Sequence, residues 1–171
     1  MKFISINGST CSGKSSVIKN IMKEREHVFH LAYDSVKWSF SKYTPQKQFQ
    51  DVHRLMAIMA KEVFEMKYDV ISESGLHREW REELFAAARA HGYEVVEINI
   101  EADYDVLAQR FDERVARALA NPEMRQPSNT SKERFKELHD IFQREKNPSA
   151  LTFRSDTQSI EEIAESVLGL F

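Results

Sequence analysis

The stretch GSTCSGKS, residues 8–15, constrains this chain more than any other. It follows a short apolar run, KFISIN (Lys2 to Asn7), and precedes Val17, Ile18, Ile21 and Met22 at helical spacing. The pattern G-x-x-x-x-G-K-[ST] is complete and lies between a predicted strand and a predicted helix. Gly8 and Gly13 let the backbone turn tightly and approach phosphate oxygens. Ser9, Thr10, Cys11, Ser12, Lys14, Ser15 and Ser16 then offer N–H and hydroxyl groups at the positive end of a helix dipole. Lys14 is expected to reach β- and γ-phosphates, and the Ser15 hydroxyl to ligate Mg²⁺. The plainer alternative is a glycine-containing turn with a solvated lysine, and the agreement of motif with context argues against it.

The rest of the chain alternates strand and helix. Strands are predicted at His27 to Ala32, Asp69 to Ser72, Glu94 to Ile100 and Leu151 to Arg154. Helical stripes run through Lys14 to Arg25, Gln46 to Lys67, Trp80 to Ala88 (with Gly92 past the end) and Val106 to Leu119. Ala120 to Asn129 holds two prolines and reads as a loop. Thr130 with Glu133, and Ser159 with Glu162, read as capping boxes for the last two helices. Such alternation implies a parallel sheet covered on both faces, with ligands at the carboxyl ends of the strands. The 171 residues, 42% hydrophobic and 30% charged, suit one globular domain. A net charge of -3 disfavours a long nucleic acid as partner. A single cysteine excludes a disulfide framework. After Lys2 the apolar run is only FISI, too short for a signal peptide or membrane span, so a cytoplasmic location is expected.

The residues after the other strands decide what the loop serves. Asp34 follows the second strand, opposite the expected γ-phosphate, where a carboxylate can take the proton of an acceptor hydroxyl. It also suits a helix N-cap, and the roles are compatible. Glu73 ends the third strand, placed to hold Mg²⁺, through water, with Ser74 beside it. Capping of the next helix is the alternative there.

With these residues in place, the chain resembles small P-loop kinases of the nucleoside-monophosphate-kinase-like group, including relatives of chloramphenicol phosphotransferase and the kinase domain of polynucleotide kinase. The resemblance covers nearly the whole chain and rests on GSTCSGKS, Asp34, Glu73 and the stretch LAQRFDER (Leu107 to Arg114). It implies a three-layer αβα fold with a five-stranded parallel sheet of order 2-3-1-4-5, residues 1–171 as one domain, and a short helical lid at about 114–131. It further implies that Arg110 stacks on the adenine and that Arg114 touches phosphates during transfer. Glu73 stands where relatives have aspartate. A zinc-bearing or β-sheet lid is excluded by the lid's length and the lone cysteine. No N-K-x-D signature is present, so adenine is expected over guanine, near Ser155 to Thr157.

Arg110, Arg114 and Arg117 share a helical face, where they can stabilise transition-state charge or simply pair with Asp112 and Glu113. Arg125 falls in the lid loop and can swing in on closure. The helix dipole and Lys14 favour a Cys11 thiolate, with plain burial as the alternative. Candidates for acceptor binding are Lys37, Trp38, His77 and Arg78, with Phe40, Tyr43, Phe49 and His53 nearby. Phe49 also fits the core stripe, Trp38 suits packing, and His53 suits a helix surface.

The expected activity is therefore ATP- and Mg²⁺-dependent phosphoryl transfer to a hydroxyl of a small acceptor, such as a nucleoside, antibiotic or similar metabolite. The rival is a nucleotide-binding regulatory protein with slow hydrolysis. Polynucleotide 5′-hydroxyl or nucleoside monophosphate acceptors compete within the kinases. A monomer or homodimer is expected, with no membrane partner.

Overall fold

The computed structural model of the chain describes residues 1–73, 77–121, 123 and 130–171. The strands are β1 (Lys2–Asn7), β2 (Val28–Ala32), β3 (Asp69–Glu73), β4 (Glu94–Glu101) and β5 (Leu151–Arg154). The helices are α1 (Lys14–Glu24), α2 (Tyr33–Lys37), α3 (Pro45–Glu65), α4 (Arg78–Ala90), α5 (Tyr104–Ala120), α6 (Lys132–Glu145) and α7 (Ile160–Leu168). All strand pairs are parallel, in the order β2-β3-β1-β4-β5. This is the three-layer α/β architecture that the alternation and the resemblance imply.

Side chains alternate across the strands, so each strand serves two cores. Ile4, Ile6, Ile71, Ile98 and Ile100 pack with Val17, Ile18 and Ile21 of α1 and Ile163 and Val167 of α7. Phe3, Leu31 and Val70 face Val52, Met56, Ala60 and Phe64 of α3 and Leu84, Phe85 and Ala88 of α4. A third cluster joins Leu107 and Phe111 of α5 to Phe135 of α6, and Cys11 packs against it. Among the described residues, no helix is long and apolar enough to cross a membrane.

Helix ends follow local chemistry. Pro45 opens α3, where its missing N–H costs nothing. Ser159 and Glu162 form the expected reciprocal capping box of α7. The cap of α6 differs from expectation: Ser131, not Thr130, accepts from Arg134 N. The chain enters the helix one residue later, and Ser131 satisfies the orphan donor equally well. At α2 the N-cap is Ala32 and Asp34 sits in the first turn, so Asp34 is not the cap. The short α2 is a separate element because residues 38–44 break the path into α3.

Candidate active site

β1 ends against α1 at the centre of the sheet, and the GSTCSGKS loop joins them. Gly8 is required there: a Cβ would lie 2.4 Å from Ile100 O and 2.6 Å from Ser12 Oγ. Gly13 has φ +93°, and its Cβ would lie 2.7 Å from Ile160 Cδ1. No ordinary L-residue fits either position without moving its neighbours. The backbone N–H groups of Thr10, Cys11, Gly13, Lys14 and Ser15 have no hydrogen-bond partner among the described residues. The Ser12 hydroxyl is buried and has no partner among the described residues. Clustered donors at a helix N-terminus, one of them the buried Ser12 hydroxyl, are chemically suited to an anion that collects them.

Lys14 Nζ donates to Ser9 O at 3.0 Å and lies 4.0 Å from Glu73 Oε1. Ser15 Oγ donates to the same carboxylate at 3.3 Å. His30 Nε2, buried and without a hydrogen bond among the described residues, is 3.8 Å from Glu73 Oε2. Burial by itself would raise the Glu73 carboxyl, but His30, Lys14 and Ser15 more than offset it and hold the group below its ordinary value. Glu73 therefore stays ionised in a small cluster of cation, hydroxyl and imidazole. Ser15 and Glu73 supply hard oxygen atoms, the donor type that suits Mg²⁺. Ser74 lies outside the described residues.

Asp34 stands one strand further out. Ala32 pairs with Glu73 in the sheet, and Asp34 lies two residues beyond it, on the same carboxyl edge. Its side chain is 71% exposed, and Lys37 Nζ donates to Oδ1 at 2.6 Å. Lys37 is unusual in being 8% exposed, with its ammonium 4.9 Å from the Trp38 ring. Trp38 itself is exposed. Tyr33 OH and Tyr43 OH are 2.6 Å apart, and burial with this contact raises the Tyr33 phenol.

The aromatic wall behind them is built by α3 and α4. His53 stacks on Trp80 at 4.5 Å and meets Tyr33 and Phe49. His77 stands edge-on to Phe49. His53 is buried, contrary to its reading as a surface residue: Tyr33 covers it from the β2 side and Trp80 from α4, a sandwich that no single-helix pattern reveals. Burial, with the nearby His77 adding to it, lowers the His53 imidazole to about 4. Phe49 is only half-buried, lining this wall and not the core. Arg78 is exposed and paired with Glu82 of its own helix.

On the other side of the loop, Arg110 donates to Ser155 Oγ at 2.9 Å and Ser155 O at 2.7 Å. The structure thus joins two residues that the sequence could only assign separately to the adenine side. Arg114 and Arg117 are exposed on α5, without a polar partner among the described residues. The expected lid includes the end of α5, and Arg125 lies outside the described residues.

Sequence reasoning missed His30, Arg81, Glu97 and His139. Arg81 is 2% exposed and donates to Glu97 at 3.2 Å. Its position three and four residues before Leu84 and Phe85, on the core stripe of α4, is the signal that could have found it. His30 and His139 carry no comparable signal, because their partners come from distant segments.

A family model described as an AAA domain matches residues 3–145. No curated protein is matched. Among solved structures, a Chloroflexus aurantiacus protein assigned as a kinase by inference is similar at TM-score 0.72 and 15% identity, over 99% of this chain and 98% of that one. The APS kinase of Mycobacterium tuberculosis, in complex with AMPPNP and APS, is similar at TM-score 0.63 and 17% identity, over 99% and 96%. The tunicamycin resistance protein of Deinococcus radiodurans gives TM-score 0.59 and 15% identity, over 99% and 94%. At these identities the likeness speaks for the fold. The family match takes in the phosphate loop, Asp34, Glu73 and all of α5, and by it the chain belongs to the AAA-domain family.

Proposed function

We propose that the protein is an ATP-dependent kinase that moves the γ-phosphoryl group to a hydroxyl of a small acceptor. The observation that carries this reading is Asp34: an exposed carboxylate on the carboxyl edge of the sheet, one strand from the Glu73, Ser15 and Lys14 cluster. A protein that only binds or slowly hydrolyses nucleotide has no need of such a base. In this proposal residues 1–171 form one domain and residues at about 114–131 are its lid.

The loop N–H groups bind the phosphates, and Lys14 leaves Ser9 O to neutralise the β- and γ-oxygens. Ser15 and Glu73 would hold Mg²⁺, which supplies charge neutralisation at the same oxygens. The acceptor oxygen attacks the γ-phosphorus and forms the new P–O bond. The bond from that phosphorus to the β,γ-bridging oxygen breaks, and the oxygen leaves with ADP, keeping the electron pair. The hydroxyl proton passes to Asp34. Arg110, held by Ser155, offers a guanidinium face to the adenine. Arg114, exposed on α5, is available to the transferring phosphoryl group. Lys37, Trp38, His77 and Arg78 surround the acceptor, and the aromatic wall suits a planar or apolar body such as a nucleoside, antibiotic or similar metabolite.

The test is Asp34→Asn, with acceptors first identified by a screen of hydroxyl compounds against labelled ATP. Transfer should fall roughly 10²- to 10⁴-fold while ATP affinity and background hydrolysis persist. Wild-type transfer in the variant would remove Asp34 from the mechanism. Finding hydrolysis but no transfer to any acceptor would favour a regulatory nucleotide-binding protein. Lys14→Ala should cost roughly 10²- to 10³-fold in turnover, as loss of a positioned transition-state donor does.

A further inference from the structure

α6 lies against the phosphate loop and touches it at two points on one face. His139 Nδ1 is 2.9 Å from Ser9 Oγ, a contact between residues 130 positions apart. One turn earlier, Phe135 stacks on Phe111 at 4.6 Å in the cluster that Cys11 joins. Ser9 is 1% exposed, and its carbonyl is the one that receives Lys14 Nζ. The His139 ring is steadied edge-on by Tyr104 at 5.0 Å.

The far end of α6 is fastened to the sheet. Lys146 Nζ donates to Glu101 at 2.8 and 2.9 Å, Asn99 Nδ2 to Asn147 O at 2.9 Å, and Arg81 to Glu145 O at 2.7 Å. A helix so anchored presents His139 to the loop from a fixed base.

We infer that His139 is a positioning residue for the nucleotide site: it holds Ser9 so that the phosphate loop keeps its N–H groups turned inward, and it ties the loop to α6. Ser9 is the hinge of this arrangement, bonded to α6 through its hydroxyl and to Lys14 through its carbonyl. When Lys14 leaves the carbonyl for a phosphate, His139 still restrains the residue, so less loop ordering is charged against nucleotide binding. Burial lowers the His139 imidazole below its ordinary value, while Asp140 and Glu101 oppose this and Lys136 and Lys146 add to it. The neutral ring serves in either tautomer, because a serine hydroxyl both donates and accepts.

This rests on the kinase reading only in requiring that the loop bind a nucleotide. The experiment is equilibrium binding of a fluorescent ADP to wild type, His139→Ala, His139→Asn, Ser9→Ala and the Ser9→Ala/His139→Ala double variant, with melting temperatures of each. His139→Ala should weaken binding about 10-fold, the size of one hydrogen bond. His139→Asn, whose amide reaches the place of Nδ1, should recover most of the loss. The double variant should be no weaker than Ser9→Ala, because the two share one contact. With an acceptor in hand, the loss should fall on KM for ATP and not on kcat. Wild-type affinity in His139→Ala, or additive losses in the double variant, would overturn the inference, as would a fall in melting temperature with affinity intact. Should His139→Ala not fold, His139→Gln replaces it in the cycle and must also weaken binding, since its longer amide misplaces the contact. ADP binding without phosphoryl transfer would sink the kinase reading alone. Failure of wild type to bind any nucleotide would sink both.

Discussion

The two faces of the central strands are built on different terms. Toward α1 and α7 the buried residues are Ile71, Ile4, Ile6, Ile98 and Ile100, with charged side chains confined to the strand ends at Lys2, Asp69, Glu94 and Glu73. Toward α3 and α4 the same strands begin apolar, with Val70, Phe3 and Val95, then turn to Ser72, Ser5, Asn7, Glu97 and Asn99. The change occurs only in the half nearest the phosphate loop. Burying such groups is costly unless they are bonded. Most are: Ser5 donates to Asn7, Asn7 to Glu97, and Arg81 and Asn147 also donate to Glu97. The first face holds the sheet together. The second gives up packing near the site and uses the polar groups to fasten the end of α6.

The largest expected effect comes from cutting that polar face at its centre. Arg81→Ala leaves Glu97 buried without its cation and should cost about 3–5 kcal/mol of stability, read from urea denaturation. It should also weaken nucleotide binding, because the base of α6 loses Arg81. On the opposite face, Ile98→Ala should cost about 2–5 kcal/mol through a cavity, while the folded fraction keeps its nucleotide affinity. Equal behaviour of the two variants in both assays would abolish the distinction between the faces.

A smaller effect depends on pH. The unfolded His53 imidazole protonates near 6.5, the buried one only near 4. Between these values the unfolded chain binds more protons, so stability is fullest above 6.5 and declines as the pH falls toward 4. The slope from this group is at most about 1.4 kcal/mol per pH unit. In His53→Leu the difference in urea midpoint between pH 7 and pH 5 should shrink; an unchanged difference would mean that His53 is protonated in place. The smallest effect is Ser72→Ala. The Ser72 hydroxyl is buried without a partner among the described residues, so its removal should be neutral or stabilising by under about 1 kcal/mol. A loss of more than that would reveal a hydrogen bond that the polar face depends on.

Much of the phosphate loop was legible in the residues because it is local. Gly8, Gly13, Lys14 and Ser15 act within one strand-turn-helix, and the backbone requirement is written into eight consecutive positions. The strands and most helices followed from apolar spacing, and the capping box of α7 from four residues. The aromatic wall was less legible. Trp38, Phe49 and His53 looked like packing and surface residues, yet Trp38 is exposed, Phe49 lines the wall and His53 is buried. Their surroundings depend on how α3 lies against α4, which periodicity does not specify.

The sequence by itself determined the architecture, the phosphate loop and the alignment of Asp34 and Glu73 along one edge of the sheet. Strand alternation and the carboxyl-edge rule are properties of the backbone, and neighbouring residues carry them. Only the tertiary structure decided that His30 faces Glu73, that Arg110 meets Ser155, that Arg81 is buried against Glu97, and that His139 holds Ser9. Each of these joins segments far apart in the chain. A side chain advertises its chemistry in sequence, but its partner is chosen by the packing of whole elements, and that choice is made only when the sheet and its helices come together.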